Sequence, residues 1–446
     1  MTDPVASLAE TSDETSIVVP HKWLPRDYQK PAWHALEAGA KRLDLVWHRR
    51  AGKDLFGINW CATQSMVRPG VYWHMLPTYK QGRKIVWEGK TRDGRAFLDH
   101  FPEQLVTRKR DDEMSLWLEG GSLYQVVGAD DADRLVGANP FGIIFSEWSL
   151  MDPRVWTLTR PILAENGGWA IFIYTPRGYN HAHKQREKAK GLKWWFTEKL
   201  GVDQTKAVPI LAIDQAREEG MAEEMIQQEF YCSFEAPLVG SYYGKELAEA
   251  LKGERIGSIP HEPKLPVDTF WDLGHRDKTC IWFHQHVGHE HRLIDFEYGS
   301  GAGLDHYVKI LKEKPYVYGT HYGPHDASVH ELGTGVSRIE TLAGLGIQME
   351  VGRKLPIDDG INATRLFLRK CWIDEKKCDY GLQGIRQYSK KDSGERDMNG
   401  QIIYQDRPNH NWASDPADAL RTGAVGWRPP WGDMSGRVLA PQTGIV

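Results

Sequence analysis

A basic, glycine-containing segment at residues 48–54, HRRAGKD, has the residue types of a phosphate-binding loop. In such a loop, backbone N–H groups and a helix N-terminus surround the phosphates of a nucleotide, while a lysine, here Lys53, reaches the β and γ oxygens. The other loop residues expected to contact the nucleotide are Arg49, Arg50, Ala51 and Gly52. The strict pattern GxxxxGK[ST] is broken, because Trp47 replaces the first glycine and Asp54 replaces the hydroxyl residue. A helix N-terminus with a basic first turn is the alternative interpretation.

A second segment, FGIIFSEW at residues 141–148, is similar to a Walker B strand. Such a strand usually ends in Asp-Glu, where the aspartate holds Mg²⁺ and the glutamate orients or deprotonates the attacking water. Here Ser146 replaces the aspartate and Glu147 follows it. We predict that Asp54 and Ser146 have exchanged places around one Mg²⁺ bound with ATP. The alternatives are a solvent-facing Glu147 and an Asp54 that only stabilises a helix N-terminus.

Four aspartates in the second half of the chain could bind divalent metal ions. Asp272 and Asp326 each end a strand-like run, and Asp415 and Asp418 are spaced to lie on one face of a helix start. Two-metal hydrolysis of a phosphodiester needs several carboxylates that converge on ions ~3.5–4 Å apart. A lone aspartate at a strand end is most often a turn residue, and Asp415 could simply cap its helix. Asp277 is a weaker candidate, with a loop residue as the alternative. His275, His325 and His330 lie near these aspartates and could contact the substrate, although solvated loop histidines are the favoured interpretation.

Strand-like runs alternate with helix-like segments between residues 27 and 230, a pattern typical of a mostly parallel, doubly wound α/β sheet. The runs are RLDLVWH, GVYWHMLP, SLYQVVGA, FGIIFSEW and WAIFIYTP. A second set of runs begins near residue 268. Short polar connections between its first three runs indicate antiparallel pairing, and a helix-like segment before the fourth predicts a second α/β domain.

Composition shifts suggest where the domains begin and end. The first residues are polar and acidic, and a stretch rich in glycine and proline separates the two sets of strand-like runs. The predicted division is a disordered leader at 1–22, a first domain at 23–235 with a charged helical lid at 182–235, a linker at 236–266, a second domain at 267–427 and a flexible tail at 428–446.

The bulk composition excludes several classes of protein. The 446 residues are 41% hydrophobic and 26% charged, with a net charge of −4, so a nucleic-acid-binding surface would have to be a local patch. The five cysteines contain no CxxC pair, which argues against a disulfide framework and a zinc ribbon. No run approaches the ~18 apolar residues of a membrane span. We therefore expect a soluble, intracellular protein without a signal peptide.

The order of four motifs resembles the ATPase half of the large terminase subunit of tailed bacteriophages. These motifs are PRDYQKPAWHAL, HRRAGKD, IIFSEW and YTPRGYNHAH, and the resemblance spans roughly residues 23 to 427. It implies an N-terminal P-loop ATPase of the ASCE or RecA-like class and a C-terminal RNase H-like nuclease. The implied activities are ATP-driven translocation of double-stranded DNA into a procapsid and cleavage of concatemeric DNA.

The resemblance also implies roles for individual residues. In the ATPase, Gln29 would contact adenine, Thr175 would sense the γ-phosphate and Glu147 would be catalytic. Arg134 would be an arginine finger for a neighbouring subunit, with Arg49 and Arg50 as rivals within the loop. In the nuclease, the main metal ligands would be Asp272, Asp326 and Asp418, with Asp415 as an accessory ligand and with Mg²⁺ or Mn²⁺ as the metal. A helix and β-hairpin near the DNA would carry Arg386, Lys390, Lys391 and Arg396; a solvated charged turn is the alternative.

The implied partners are double-stranded DNA, a portal protein, a small terminase subunit and further copies of the chain in a ring, with five subunits expected. The implied location is the host cell cytoplasm, docked transiently on the procapsid and away from membranes. Two other functions stay open. A repair or recombination helicase-nuclease would use the same two chemistries, although no second set of ATPase motifs follows residue 240. A non-catalytic DNA-binding virion protein would explain the unusual Asp54 and Ser146.

Overall fold

In the computed structural model, the described residues are 23–130, 135, 137–235, 240–273, 279–299, 301–329, 335–396 and 402–429. The predicted leader and the predicted tail beyond residue 429 lie outside them. So do four of the candidate residues and the side chain of a fifth, which are Arg134, Asp277, His275, His330 and Arg396. Within the described residues, no helix combines the length and the apolar character that a membrane crossing needs.

The first half of the described chain forms an eight-stranded sheet. Its strands are β1 (Arg42–Trp47), β2 (Val71–Leu76), β3 (Val106–Arg110), β4 (Ser115–Leu118), β5 (Leu123–Gly128), β6 (Pro140–Ser146), β7 (Trp169–Tyr174) and β8 (Trp195–Leu200). They are arranged in the order β3-β4-β5-β2-β6-β7-β1-β8. Neighbours from β5 to β8 are parallel, whereas β3, β4 and β5 pair antiparallel. The predicted mostly parallel sheet is confirmed.

Both faces of this sheet are covered, as its strand composition requires. On β1, Leu43 and Leu45 pack into one apolar cluster while Val46 packs into another, which is the alternation of a strand buried on both sides. The covering helices are α1 (Lys30–Glu37), α2 (Lys53–Val67), α3 (Tyr79–Gly82), α4 (Arg154–Glu165) and α5 (His181–Ala189). The segment predicted as a lid continues with α6 (Val202–Thr205), α7 (Ile210–Glu218) and α8 (Glu223–Glu229). It also contains β8, which pairs with β1 in the main sheet.

A second, seven-stranded sheet is formed by the described residues from 256 to 374. Its strands are β9 (Ile256–Gly257), β10 (Val267–Leu273), β11 (Thr279–Val287), β12 (Glu290–Gly299), β13 (Tyr318–Gly323), β14 (Met349–Val351) and β15 (Cys371–Asp374), in the order β14-β13-β10-β11-β12-β15-β9. The strands β10, β11 and β12 are antiparallel, and β13 joins β10 in parallel. The predicted RNase H-like arrangement is confirmed.

Helices and one hairpin complete this second half. They are α9 (Gly244–Lys252), α10 (Leu304–Glu313), α11 (Arg338–Gly344), α12 (Ile357–Leu368), α13 (Asp379–Gln387), β16 (Lys390–Arg396), β17 (Ile402–Pro408) and α14 (Ser414–Gly426). The hairpin of β16 and β17 was expected from the sequence. Within the segment predicted as a linker, α9 is amphipathic and buries Leu247 and Ala250 in the second core, and β9 pairs with β15.

Helix α14 approaches β10 unusually closely. A Cβ atom at Gly423 would lie 2.0 Å from Cδ2 of Phe270, so only glycine fits this contact. The start of α14 is fixed by Trp282, whose indole N–H donates to the Pro416 carbonyl at 2.8 Å. The Trp282 contact therefore fixes the first turn of α14 and the Gly423 contact fixes its last turn against the sheet.

Candidate active sites

The phosphate-binding loop connects β1 to α2 through two left-handed residues. Arg50 has φ 71° and Gly52 has φ 76°, and α2 begins at Lys53. The Arg49 N–H donates to the Glu229 carbonyl at 2.8 Å, which fixes the loop against α8. The helix N-terminus and its backbone N–H groups therefore face the space where phosphates would bind, as the sequence predicted.

Lys53 is held inside this loop. Its side chain is only 7% exposed, and its ammonium donates to the Trp47 carbonyl at 2.9 Å and the His48 carbonyl at 3.2 Å. It also donates to the Thr175 hydroxyl at 3.1 Å. The loop lysine and the proposed γ-phosphate sensor are therefore brought together across neighbouring parallel strands.

The two unusual residues of the site are in direct contact. The Ser146 hydroxyl donates to Asp54 Oδ1 at 2.5 Å, and His74 Nε2 lies 3.3 Å from the same oxygen. Burial raises the pKa of Asp54, but the hydrogen bonds and positive charge around it outweigh burial and hold the pKa below its ordinary value. A carboxylate and a hydroxyl side by side are hard oxygen ligands that suit Mg²⁺. The predicted pairing of Asp54 with Ser146 is present, and its role in binding metal stays a prediction.

Glu147 follows β6 in a left-handed conformation. Its φ is 59°, and its N–H donates to the Ile173 carbonyl at 2.9 Å. Burial raises the pKa of its carboxyl, while the charges of Lys53 and Arg177 oppose that rise. A carboxyl with a raised pKa beside the loop lysine is suited to accept a proton from water.

Three residues of this site were missed from the sequence. His74, fully buried on β2, connects Asp54 to the Tyr124 hydroxyl, which lies 3.0 Å from its Nδ1. Arg177 forms an ion pair with Glu229, and its positive charge also acts on Glu147. Arg177 could have been found, because it lies in the motif YTPRG beside Thr175. Glu229 and His74 carried no local signal, since their partners lie far away in the sequence.

Gln29 packs under the loop. It is 1% exposed, and its side-chain N–H₂ donates to the Ala51 carbonyl at 3.0 Å and to the Gly52 carbonyl at 3.3 Å. The Tyr28 hydroxyl donates to the same Ala51 carbonyl at 3.0 Å. Gln29 therefore supports the loop backbone, and its predicted contact with adenine stays a prediction.

In the second half, the candidate carboxylates converge. Asp272 lies on β10, Asp326 in a short 3₁₀ turn after β13, and Asp415 and Asp418 on the first turns of α14. Burial raises the pKa of Asp272 well above its usual range, and the negative charges of the other three carboxylates raise it further. Asp272 is therefore a buried carboxyl group whose ionisation is disfavoured by three neighbouring carboxylates, and a divalent cation would neutralise this charge.

The carboxylates are not arranged as a ready-made metal site. Among the described residues, no group of three or more His, Cys, Asp or Glu side chains is placed to hold one ion. One reason is Arg421, whose Nη1 lies 2.8 Å from Asp418 Oδ1 and 3.2 Å from the Tyr388 hydroxyl. Arg421 and Tyr388 were not predicted, although Arg421 lies one helical turn from Asp418. The metal-binding roles of the four aspartates stay predictions.

The remaining sequence candidates lie on other elements of the second half. His325 and Asp326 are adjacent and exposed. Lys390 lies on the hairpin and forms an ion pair of 3.1 Å with Asp406. Arg386 lies on α13 rather than on the hairpin, and burial lowers the pKa of its guanidinium. No contact in the structure tests whether these side chains bind DNA.

The two halves meet between the loops after β6 and helix α13. The Gln387 amide donates to the Ser149 carbonyl at 2.8 Å, and the Ser149 hydroxyl donates to the Thr175 carbonyl at 2.8 Å. The Arg154 guanidinium stacks over the Tyr298 ring at 4.4 Å. Ser149 therefore contacts both the motif that contains Thr175 and helix α13 of the second half.

Known structures similar to this chain were found for both halves. No protein-family model and no curated protein sequence matches the chain. The large terminase of a thermophilic bacteriophage, solved with ADP, aligns over 87% of this chain and 94% of its own, with 14% identity and a TM-score of 0.38. The chain resembles bacteriophage large terminases.

Two single-domain structures match the separate halves. The ATPase domain of the Thermus phage P74-26 large terminase covers 47% of this chain and 98% of its own, with 18% identity and a TM-score of 0.39. The nuclease domain of the P22 large terminase covers 39% of this chain and 87% of its own, with 18% identity and a TM-score of 0.30. These are the two domain types that the resemblance of the sequence implies.

Proposed function

We propose that this chain is a large terminase subunit, in which an ATPase drives double-stranded DNA into a procapsid and a nuclease cuts concatemeric DNA. The observation that carries the proposal is the presence of two separate sites in one chain. Lys53, Asp54 and Glu147 converge at the end of a parallel sheet, and in the second half Asp272 on β10 lies near three carboxylates from the turn after β13 and the start of α14.

In the proposed ATPase cycle, Lys53 leaves the loop carbonyls to bind the phosphates of ATP. Asp54 and Ser146 would hold Mg²⁺, which supplies charge neutralisation at the β and γ oxygens. Glu147 takes a proton from the attacking water, for which its raised pKa is suited. When the γ-phosphate is lost, the Thr175 hydroxyl accepts a hydrogen bond from Lys53 again. Ser149, which contacts both Thr175 and Gln387 on α13, transmits this change toward the second half.

In the proposed nuclease, Asp272, Asp326 and Asp418 would hold two divalent ions, Mg²⁺ or Mn²⁺, with Asp415 as an accessory ligand. Bound there, such ions would supply an activated water and charge stabilisation for the leaving oxygen of the phosphodiester. Arg421 would leave Asp418 when metal binds and remain available to a DNA phosphate, because a guanidinium suits bidentate contact with such groups.

Ring assembly is part of the proposal. Arg134, Arg49 and Arg50 remain the candidates for an arginine finger, which can raise the rate by roughly 10³–10⁵-fold. A finger donated by a neighbouring subunit would make ATP turnover depend on assembly. The proposed partners are DNA, a portal protein, a small terminase subunit and other copies of this chain in the host cytoplasm.

The proposal is tested by measuring plasmid cleavage and ATP hydrolysis with one preparation of the full chain. We expect cleavage that requires Mg²⁺ or Mn²⁺. We also expect slow ATP hydrolysis whose rate per subunit increases with protein concentration. Hydrolysis without cleavage would leave only a DNA translocase or helicase. The absence of both activities would favour a non-catalytic virion protein.

A further inference from the structure

A cavity of about 520 Å³ opens between the N-terminus of α9 and one face of α12. It is separate from the carboxylate centre, and none of the motifs above predicts it. The polar and charged residues that line it include Ser241, Lys245, Glu246, Asn362, Arg365 and Arg369. Its chemistry is cationic, because three basic side chains face one carboxylate.

The basic side chains are partly fixed in place. The Arg365 Nε–H donates to the Tyr242 carbonyl at 2.9 Å and its Nη1–H donates to Asn362 Oδ1 at 3.0 Å, so its guanidinium is pre-positioned at the cavity wall. Arg369 lies 4.0 Å from Glu246, whose side chain is buried, while Arg369 and Lys245 are exposed. A phosphate entering the cavity would meet two exposed cations before the buried carboxylate.

The backbone adds a second set of donors. Helix α9 begins at Gly244, and its first internal bond runs from the Leu247 N–H to the Tyr243 carbonyl. The N–H groups of the preceding first turn and the positive end of the helix dipole favour an anion at this position. The Ser241 hydroxyl at the same wall is shielded from solvent and has no hydrogen-bond partner among the described residues.

The cavity adjoins the carboxylate centre through three contacts. The ring of Tyr243 stacks on that of Tyr388 at 5.7 Å, the Tyr388 hydroxyl contacts Arg421, and Arg421 pairs with Asp418. The cavity also adjoins the hairpin, because the Lys390 N–H donates to the Gly240 carbonyl at 2.9 Å. The link through Tyr243 and Tyr388 is buried, so a duplex would reach the cavity along the hairpin side, where it would present a backbone phosphate.

We propose that the cavity at the start of α9 binds a backbone phosphate of the DNA duplex and holds it across the carboxylate centre. This inference rests on the proposed nuclease function. The recognised chemistry is a phosphodiester, so the site carries no base specificity. Lys245, Arg365 and Arg369 supply charge, and the α9 N-terminus supplies directed hydrogen bonds.

The test is binding of a short fluorescein-labelled DNA duplex to the full chain, measured by fluorescence anisotropy over a range of salt concentrations. The variant is Lys245→Gln combined with Arg369→Gln, since both side chains are exposed. The matched control is Lys252→Gln, an exposed lysine at the other end of the same helix. Circular dichroism melting confirms that all variants are folded.

Each lost phosphate contact lowers the slope of log K against log salt by about 0.9. We therefore expect the double variant to lose about one slope unit and bind several-fold more weakly. In plasmid cleavage its KM should rise with little change in kcat, and the Lys252 control should behave as the unmodified chain. Inorganic phosphate and AMP, added at the same ionic strength, should not displace the duplex.

Two outcomes would overturn the inference. If the double variant keeps the unmodified salt slope and KM, the cavity does not contact the duplex. If inorganic phosphate or AMP displaces DNA at low concentration, the cavity is a site for a free phosphate ligand instead. Failure of the unmodified chain to bind or cleave DNA would instead count against the proposed nuclease function.

Discussion

In the ATPase site, the Asp54 carboxylate accepts a hydrogen bond of 2.5 Å from Ser146 and lies 3.3 Å from His74, and its pKa is held below the ordinary value. In the nuclease site, Asp272 faces three other carboxylates, and its pKa is raised well above the ordinary value. The first site thus compensates its negative charge with protein groups, whereas the second accumulates negative charge.

This difference has a structural consequence. A carboxylate with fixed hydrogen bonds keeps its position without a metal ion, because its partners already define the geometry. Carboxylates that repel one another are held together only by the surrounding fold and are stabilised when a cation arrives. We therefore expect the ATPase site to be preorganised and the nuclease site to depend on metal for its order.

The largest expected effect is produced by Lys53→Ala. Because Lys53 is the only described cation that contacts both the loop carbonyls and Thr175, its removal should lower ATP turnover by roughly 10²–10³-fold. Metal-dependent plasmid cleavage without ATP should persist. A parallel loss of cleavage, with an unchanged melting temperature, would show that the two sites are not chemically independent.

The exchange of Asp54 and Ser146 can be tested by reversing it. Asp54→Ser and Ser146→Asp alone should each lower ATP turnover by roughly 10–100-fold, since each leaves the site without the carboxylate–hydroxyl pair. The double variant restores the ordinary order and should recover most of the activity. Malachite-green phosphate release measures all three variants. If both single variants are fully active, the two residues do not hold the metal.

His74→Asn tests whether the compensation around Asp54 matters for metal binding. His74 is fully buried and contacts Asp54, so its loss should weaken Mg²⁺ binding by about 10-fold and leave turnover at saturating Mg²⁺ nearly unchanged. The measurement is the Mg²⁺ dependence of ATP turnover, together with Mg²⁺ titration by calorimetry in the presence of a non-hydrolysable ATP analogue. An unchanged Mg²⁺ affinity would show that His74 only packs in the core and does not support metal binding by Asp54.

The smallest expected effect is a shift in stability at the nuclease site. The folded pKa of Asp272 lies above the ordinary value of 3.8, so ionised Asp272 destabilises the folded chain increasingly as pH rises above that value. In EDTA, Asp272→Asn should therefore melt higher than the unmodified chain at neutral pH, by roughly 1 °C for about 1 kcal/mol in a chain of 446 residues. The difference should vanish below pH 3.8, where the carboxyl is protonated in both states. With Mn²⁺ added, the unmodified chain should melt higher than Asp272→Asn. If the difference in melting temperature between the two proteins depends on neither pH nor Mn²⁺, negative charge does not accumulate at Asp272.

Much of the fold could be predicted, because buried parallel strands are continuous apolar runs. The runs predicted for β1, β2, β5, β6 and β7 are strands. Strand β8 was absorbed into the predicted lid, because WFTEKL is half-buried at the sheet edge and carries charged residues. Helix α9 was hidden within a segment rich in glycine and proline, although its apolar positions recur with helical spacing.

The sites could be predicted only in part. Lys53, Ser146 and Glu147 lie in local motifs, so their roles could be proposed from the sequence. The pairing of Asp54 with Ser146 could be proposed because Asp54 stands where a hydroxyl residue is usual and Ser146 stands where an aspartate is usual. The site therefore keeps one carboxylate and one hydroxyl. The partners that set their electrostatics, such as His74 and Glu229, lie on distant strands and helices, where no local pattern identifies them.

The central claim is that one chain contains two independent catalytic sites, one with its negative charge compensated and one with negative charge accumulated. Its most direct test is a paired measurement of ATP hydrolysis and Mn²⁺-dependent plasmid cleavage on Lys53→Ala and Asp272→Asn, with folding checked by melting. We predict that Lys53→Ala loses only hydrolysis and that Asp272→Asn loses only cleavage. Retention of cleavage by Asp272→Asn, or of hydrolysis by Lys53→Ala, would contradict the claim.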